Sequence, residues 1–300
     1  MKFFTQPTGW QTVLVLTIGI LAVSTAAVLV RLATREAQLS AVGFSLVLAA
    51  SRLIIASGVL LPTWQTIRRN PPTRSAWRYA TAAGVALAAH FATWITSLSY
   101  TSIAASTTIV TTTSIWVALL SWRWFGEKPN RVTLAGIAIA LIGGITIGWQ
   151  TSEATGTNPL LGNGLALVGA WTASLYLLLG REAQRRDLDV RSYVTIAYSV
   201  AAIVLLPLPL LAGASYTGYS PLTYGLILLM AIVPQLIGHT SLNWAVCWVS
   251  PTLVSVLTLF EPVASSGLAL VLFGEVPGIQ VLIGAMILLI GVAISIAANR

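Results

Sequence analysis

The two histidines of this 300-residue chain, His90 and His239, stand 149 residues apart, close to half its length. Each lies inside a long apolar run, where a polar ring is costly unless it faces a cavity or a partner helix. Gln235 and Asn243 flank His239 at i−4 and i+4, which on a helix places the three on one face. Trp94 lies one turn beyond His90, on the same face. Imidazoles can hydrogen-bond a solute or carry a proton, and neighbouring rings can bury an apolar or aromatic one. The expectation is a shared cavity near the middle of a membrane. The alternative is two histidines that each bond a nearby carbonyl and pack helices. Thr107, Thr108, Thr111, Thr112, Thr113 and Ser114 crowd another run, with Ser255 and Thr258 on related ground. Such hydroxyls bond the backbone one turn earlier or join helices; Thr111 and Ser114 are also candidates to meet solute. Trp116 and Trp171 join Trp94 as rings far from run ends. Arg52 and Glu261 are the deep charges, each a candidate counter-ion or structural partner, and Glu261 a candidate proton carrier.

The elements that must position these residues are membrane helices. Only 8% of residues are charged and 56% are hydrophobic, with a mean hydropathy of +0.86, whereas soluble domains carry about 25% charged residues. Apolar runs near 10–31, 41–63, 79–99, 102–122, 131–149, 161–180, 192–212, 222–244, 250–271 and 278–298 suit ten helical spans. The first is too long for a signal-peptide core. Trp10, Trp64, Trp77, Trp122, Trp124, Trp149, Trp244 and Trp248 fall near run ends, as interfacial anchors do. With both termini cytoplasmic, 13 lysines and arginines fall on the inner side and two, Arg31 and Arg35, on the outer. The net charge of +8 therefore reads as membrane orientation rather than nucleic-acid binding. Cys247, the one cysteine, sits in an apolar run and reads as a small buried residue. It excludes an intramolecular disulfide and a thiolate metal cage.

The chain also repeats itself. Phe125-Gly126-Glu127 recurs as Phe273-Gly274-Glu275 at a spacing of 148. Pro129 with Pro277, Gly136 with Gly284, and Leu141-Ile142-Gly143 with Leu289-Ile290-Gly291 hold the same register. Five spans per half is an odd number, so the second half enters the membrane upside down, an inverted repeat with a solute path between the halves. The fold class is thus all-α integral membrane, ten transmembrane helices as an inverted 5+5 repeat, with units at 10–149 and 161–298. Gln150 to Asn158 is the linker. Arg35-Glu36-Ala37 and Arg181-Glu182-Ala183 close the first span of each half, and Glu127 and Glu275 read as caps of the turns they begin. Gly144 and Gly148 make a GxxxG step for close helix contact.

These features resemble the drug/metabolite transporter superfamily, and more closely its EamA-type exporters. Phe260-Glu261-Pro262-Val263 running to Phe273-Gly274-Glu275, then Gly284 and Gly291, carries the likeness, as does an arginine in span two, Arg52. The first half departs from it, with Thr113-Ser114 where the second has Glu261-Pro262. The resemblance implies a multi-pass carrier of the bacterial inner membrane working by alternating access. Within that group it is most like exporters of aromatic and other neutral amino acids, with His90, Trp94, Trp171, Gln235, His239, Asn243, Thr111, Ser114 and Trp116 around the solute. Export of drugs, nucleosides or other small metabolites is the alternative. A membrane-embedded enzyme is a remote one, because the chain lacks GxxxxGK[ST], HExxH and GxSxG, and Gly162-Asn163-Gly164 lacks a third glycine. No cofactor or metal is implied. The expected partners are a small-molecule substrate and membrane lipid, with a monomer or homodimer as the assembly.

Overall fold

A computed structural model describes residues 7–39, 42–126, 130–148, 157–274 and 276–298. Among these there is helix and no strand. The expected roles of Glu127, Glu275 and Trp149, and most of the expected linker, lie outside the described residues.

The first apolar run forms two helices, α1 (Gly9–Ser24) and α2 (Ala26–Ala37), parted at Thr25. Thr8 and Gln11 start α1 with a reciprocal capping box. Ser24 and Thr25 turn their hydroxyls onto the carbonyls of Ile20 and Ala22, competing with the helix ladder. The expected end at residue 31 proves too early. Arg31 is a half-buried residue of α2 rather than a loop cation, and its guanidinium donates to the carbonyls of Leu98 and Thr101 at 3.1 Å. Those carbonyls follow α5 (Arg74–Ser97), which comes after α3 (Val42–Val59) and the short α4 (Thr63–Arg69).

The threonine-rich run is also two helices, α6 (Ile103–Val110) and α7 (Thr113–Phe125). Thr107, Thr108, Thr111, Thr112, Thr113 and Ser114 all donate to carbonyls three or four residues back. The backbone there tightens to three-residue steps, with Thr112 N bonded to Ile109 O and Ile115 N to Thr112 O. After α8 (Arg131–Gly148), α9 (Pro159–Gln184) runs unbroken, capped by Asn158 with proline in its first turn. Next come α10 (Val190–Leu205), α11 (Leu208–Leu211) and α12 (Pro221–Met230), the last continuing as a π-helix (Ala231–His239) and then α13 (Thr240–Ala245). α14 (Pro251–Leu257) and α15 (Phe260–Phe273) part at Thr258–Leu259, 147 residues after the break between α6 and α7. α16 (Ile279–Ala297) ends the fold.

Six helical stretches are long and apolar enough to cross a membrane: Gly9–Ala37, Val42–Val59, Ile103–Trp124, Pro159–Gln184, Val190–Leu211 and Pro221–Ala245. Arg131–Thr146, Val263–Phe273 and Ile279–Ser295 are shorter apolar helices. Large apolar side chains such as Trp10, Leu21, Ile142, Ile203, Leu229, Val271 and Ile290 are exposed. Apolar patches on this scale suit lipid rather than water. The chain is a multi-pass membrane protein.

α5 packs along α9, and α8 along α16. Glycine makes the second contact possible. A Cβ on Gly136 would collide with the carbonyl oxygen of Gly291, and one on Gly143 would lie 2.6 Å from the carbonyl oxygen of Gly284. The expected close contact at Gly144 is not made there, since a Cβ on it would meet only a methyl of Thr112 at 3.5 Å. Loop contacts sort the ends of the bundle. Arg191 donates to Thr63 at 3.0 Å and Arg186 lies over the Tyr79 ring, joining the arginine-rich turns at one end. Ser220 donates to Glu36 at 2.8 Å at the other.

Candidate functional site

The helix breaks surround a cavity of about 90 Å³. Val23 and Ala26 flank the break at Thr25, Thr111 and Thr113 that between α6 and α7, and Ser255, Thr258 and Glu261 that between α14 and α15. Irregular backbone at membrane depth is tolerated where it lines such a space or is buried in protein. Straight α5 and α9 supply His90, Trp94, Ala173, Tyr176 and Leu177, and the π-helix and α13 supply His239, Leu242 and Asn243.

The two histidines meet across this space, their ring centroids 6.5 Å apart and edge to face. His90 Nδ1 donates to the carbonyl of Gly169 at 2.9 Å. Gly169 permits that approach, because its missing Cβ would lie 3.2 Å from Cβ of Trp94. In the neutral ring this bond leaves Nε2 as an acceptor. His90 therefore does both things foreseen for it: it bonds a backbone carbonyl and lines a cavity. Trp94 stacks on it nearly parallel, at 5.8 Å and 2°. Phe91 stands edge-on to His239 at 5.2 Å. Asn243 Nδ2 donates to the Tyr176 hydroxyl at 2.5 Å.

Of the residues singled out in the sequence, His90, Trp94, Thr111, His239, Asn243 and Glu261 line the cavity, as do Ser255 and Thr258. Others do not. Gln235 is wholly buried within the π-helix and is not among the residues that line the cavity. Trp171 is 42% exposed on the outer side of α9, edge-on to Trp116 at 5.3 Å. Trp116 is half-buried against the core and is also not among the residues lining the cavity. Ser114 spends its hydroxyl on the carbonyl of Thr111. Arg52 lies behind the wall, its guanidinium carbon 4.1 Å from the Phe91 ring centroid. Cys247, expected in the core, is exposed, since α13 ends at Ala245; its thiol donates to Gln184 Oε1 at 2.6 Å. Tyr176 was missed. Its signal was a hydroxyl-bearing ring inside an apolar run. Among the described residues no cluster of His, Cys, Asp or Glu could hold a metal ion.

Comparison with known proteins places this arrangement. The model of the EamA-like transporter family matches residues 9–149 and again 160–297. The chain belongs to the EamA-like transporter family. An uncharacterized transporter of Clostridium kluyveri is 24% identical over 211 residues, 68% of this chain and 67% of that one. A protein of known crystal structure shares the fold over 97% of this chain and 98% of its own, with a TM-score of 0.68 at 17% identity. The family consists of transporters rather than enzymes, so the cavity belongs to a membrane transporter.

In this EamA-like chain one residue explains the presentation of His239. Pro234 cannot donate to the helix ladder, and it sits buried within the π-helix. Pro234→Ala restores a donor and favours a regular α-helix, which shifts His239 relative to His90 and Phe91. The expected outcome is a melting temperature equal to or above the parent, with substrate flux lowered several-fold. Thermal unfolding in detergent and flux in liposomes, measured on the same preparation, check both halves of that statement.

Proposed function

We propose that this transporter exports amino acids, aromatic and other neutral ones, across a bacterial inner membrane. It works by alternating access through the cavity between its halves. The observation that carries the reading is the make-up of the wall. Trp94, stacked on His90, offers a flat apolar surface. The same cavity is lined by acceptors and donors for small polar groups: Asn243, His239, Thr111, Ser255 and the carboxyl of Glu261. Rings of this kind suit an apolar or aromatic side chain, and the polar groups suit an amino and a carboxyl group.

Ten spans in an inverted 5+5 repeat, as units 10–149 and 161–298, is the architecture we assign. It is supported by the antiparallel contact of the equivalent helices α8 and α16. There Gly136 meets Gly291 and Gly143 meets Gly284, pairs that exchange under the 148-residue correspondence. The matching breaks in α6–α7 and α14–α15 lend further support. Cytoplasmic termini follow from the bias of basic residues.

The test is flux from liposomes containing the purified chain, loaded with labelled phenylalanine, tryptophan, methionine or threonine, with and without a pH gradient. Protein-dependent efflux of one or more is the expected result, and its response to the gradient separates exchange with protons from downhill export. No movement of any of the four overturns the amino-acid assignment and turns the search to drugs and nucleosides.

A further inference from the structure

The wall of the cavity conceals a second charge. Arg52 is wholly buried in α3, and none of its three guanidinium nitrogens has a hydrogen-bond partner among the described residues. A buried guanidinium without an ion pair is heavily penalised, and a membrane interior offers it no water. What it has is the face of Phe91 at 4.1 Å. Phe91 in turn packs edge-on against His239, a cavity residue. One aromatic layer therefore separates the cation from the space where a solute sits. Gln235, on the π-helix that carries His239, is also wholly buried, with both amide atoms unpartnered. On the wall itself stands Glu261, the one charged side chain among the residues lining the cavity. Arg52 and Glu261 lie within each other's electrostatic reach, yet Glu261 is not a hydrogen-bond partner of the guanidinium.

A cation one ring behind the wall of a small cavity and an anion on that wall, not hydrogen-bonded to each other, match a solute that carries both charges. We propose that Arg52 is the counter-charge for the carboxylate of a transported α-amino acid, that Glu261 takes its ammonium group, and that the pair selects zwitterions over amines and carboxylic acids. The inference rests on the amino-acid reading above and adds how that substrate is recognised. Arg52 acts across the Phe91 layer or, when that ring turns, by direct contact; its planar fork matches two carboxylate oxygens.

Three solutes with one ring test it: phenylalanine, phenethylamine, which lacks the carboxylate, and 3-phenylpropionate, which lacks the amine. Protein-dependent flux of each is measured in liposomes holding the full chain, for the parent, Arg52→Gln, Arg52→Lys, Glu261→Gln and the double variant Arg52→Gln/Glu261→Gln. The parent is expected to favour phenylalanine at least tenfold over both analogues. Arg52→Gln brings phenylalanine down to the level of phenethylamine, while Arg52→Lys, which keeps the charge, retains most of the preference. Glu261→Gln erases the preference over phenylpropionate. The double variant keeps the net charge of the interior, so it guards against misfolding of a single variant, and it should carry the three solutes at similar rates. A purely structural Arg52 would lower all three fluxes in parallel and leave their ratios unchanged, which overturns the inference while the amino-acid reading stands. A parent that moves none of the three, nor any other amino acid, removes that reading and the inference with it.

Discussion

Gly136→Ala is expected to unfold the bundle at a markedly lower temperature, whereas Gly144→Ala is not. The added Cβ at 136 falls on the Gly291 carbonyl and the Ser295 hydroxyl. The Gly291 carbonyl and the Ser295 amide nitrogen, 2.8 Å from that Cβ, are α16 backbone and cannot yield without separating the helices. Forcing a methyl into a packed contact costs about 1–3 kcal/mol, and more where the obstacle is backbone. In lipid no hydrophobic term offsets the loss, because helices associate there by close packing. A fall of roughly 2–6 °C follows for a chain of this size, and more if the backbone obstacle raises the cost. At Gly144 the same methyl meets only a side-chain methyl of Thr112 in ordinary contact. There alanine gains up to about 1 kcal/mol of helix propensity over glycine. Tryptophan fluorescence during thermal unfolding in detergent reads both variants. Equal melting temperatures for the two would mean that α8 and α16 do not meet at these glycines.

The second large effect is functional. Trp94→Ala is expected to cut amino-acid flux about thirtyfold or more, and Trp171→Ala to leave it within about twofold. Trp94 is buried, lines the cavity and lies parallel to His90. Removing it takes away an apolar wall and the stack that holds the imidazole flat. Losing a buried aromatic anchor costs about 2 kcal/mol or more, which is a factor of about thirty in affinity. Trp171 is exposed to the surroundings of the bundle and touches Trp116 instead. Liposome flux of phenylalanine at several concentrations, with protein content normalised, checks the contrast. A Trp171→Ala loss as large as that of Trp94→Ala would place the solute path outside the cavity described here.

Both outcomes turn on facts of different legibility. The membrane class, the half-length spacing and the candidacy of His90, Trp94, His239, Asn243 and Glu261 were readable from residue types and spacing. Polar groups in apolar runs are costly enough to stand out one by one. Trp171 and Trp94 could not be told apart that way. Both are tryptophans in mid-run, and which face of a helix meets lipid is set by what the neighbouring helices bury. Gln235 was misplaced because a shared helix face does not say which neighbour covers each residue: it is wholly buried, and the Tyr198 hydroxyl donates to its carbonyl at 3.4 Å. Cys247 was misplaced because its apolar neighbours continue past the end of α13. Tyr176 went unnoticed because its role depends on Asn243, 67 residues away.

By itself, then, the sequence determined that this chain lives in a membrane and which residues are too polar to face lipid. Transfer free energy and helical periodicity act on single residues and their near neighbours in the chain. Only the tertiary structure decided that α8 and α16 touch through glycines, that three broken helices open onto one cavity, and that Arg52 lies one ring behind its wall. Those facts are relations between segments separated by up to two hundred and more residues, and packing alone selects which of their faces meet.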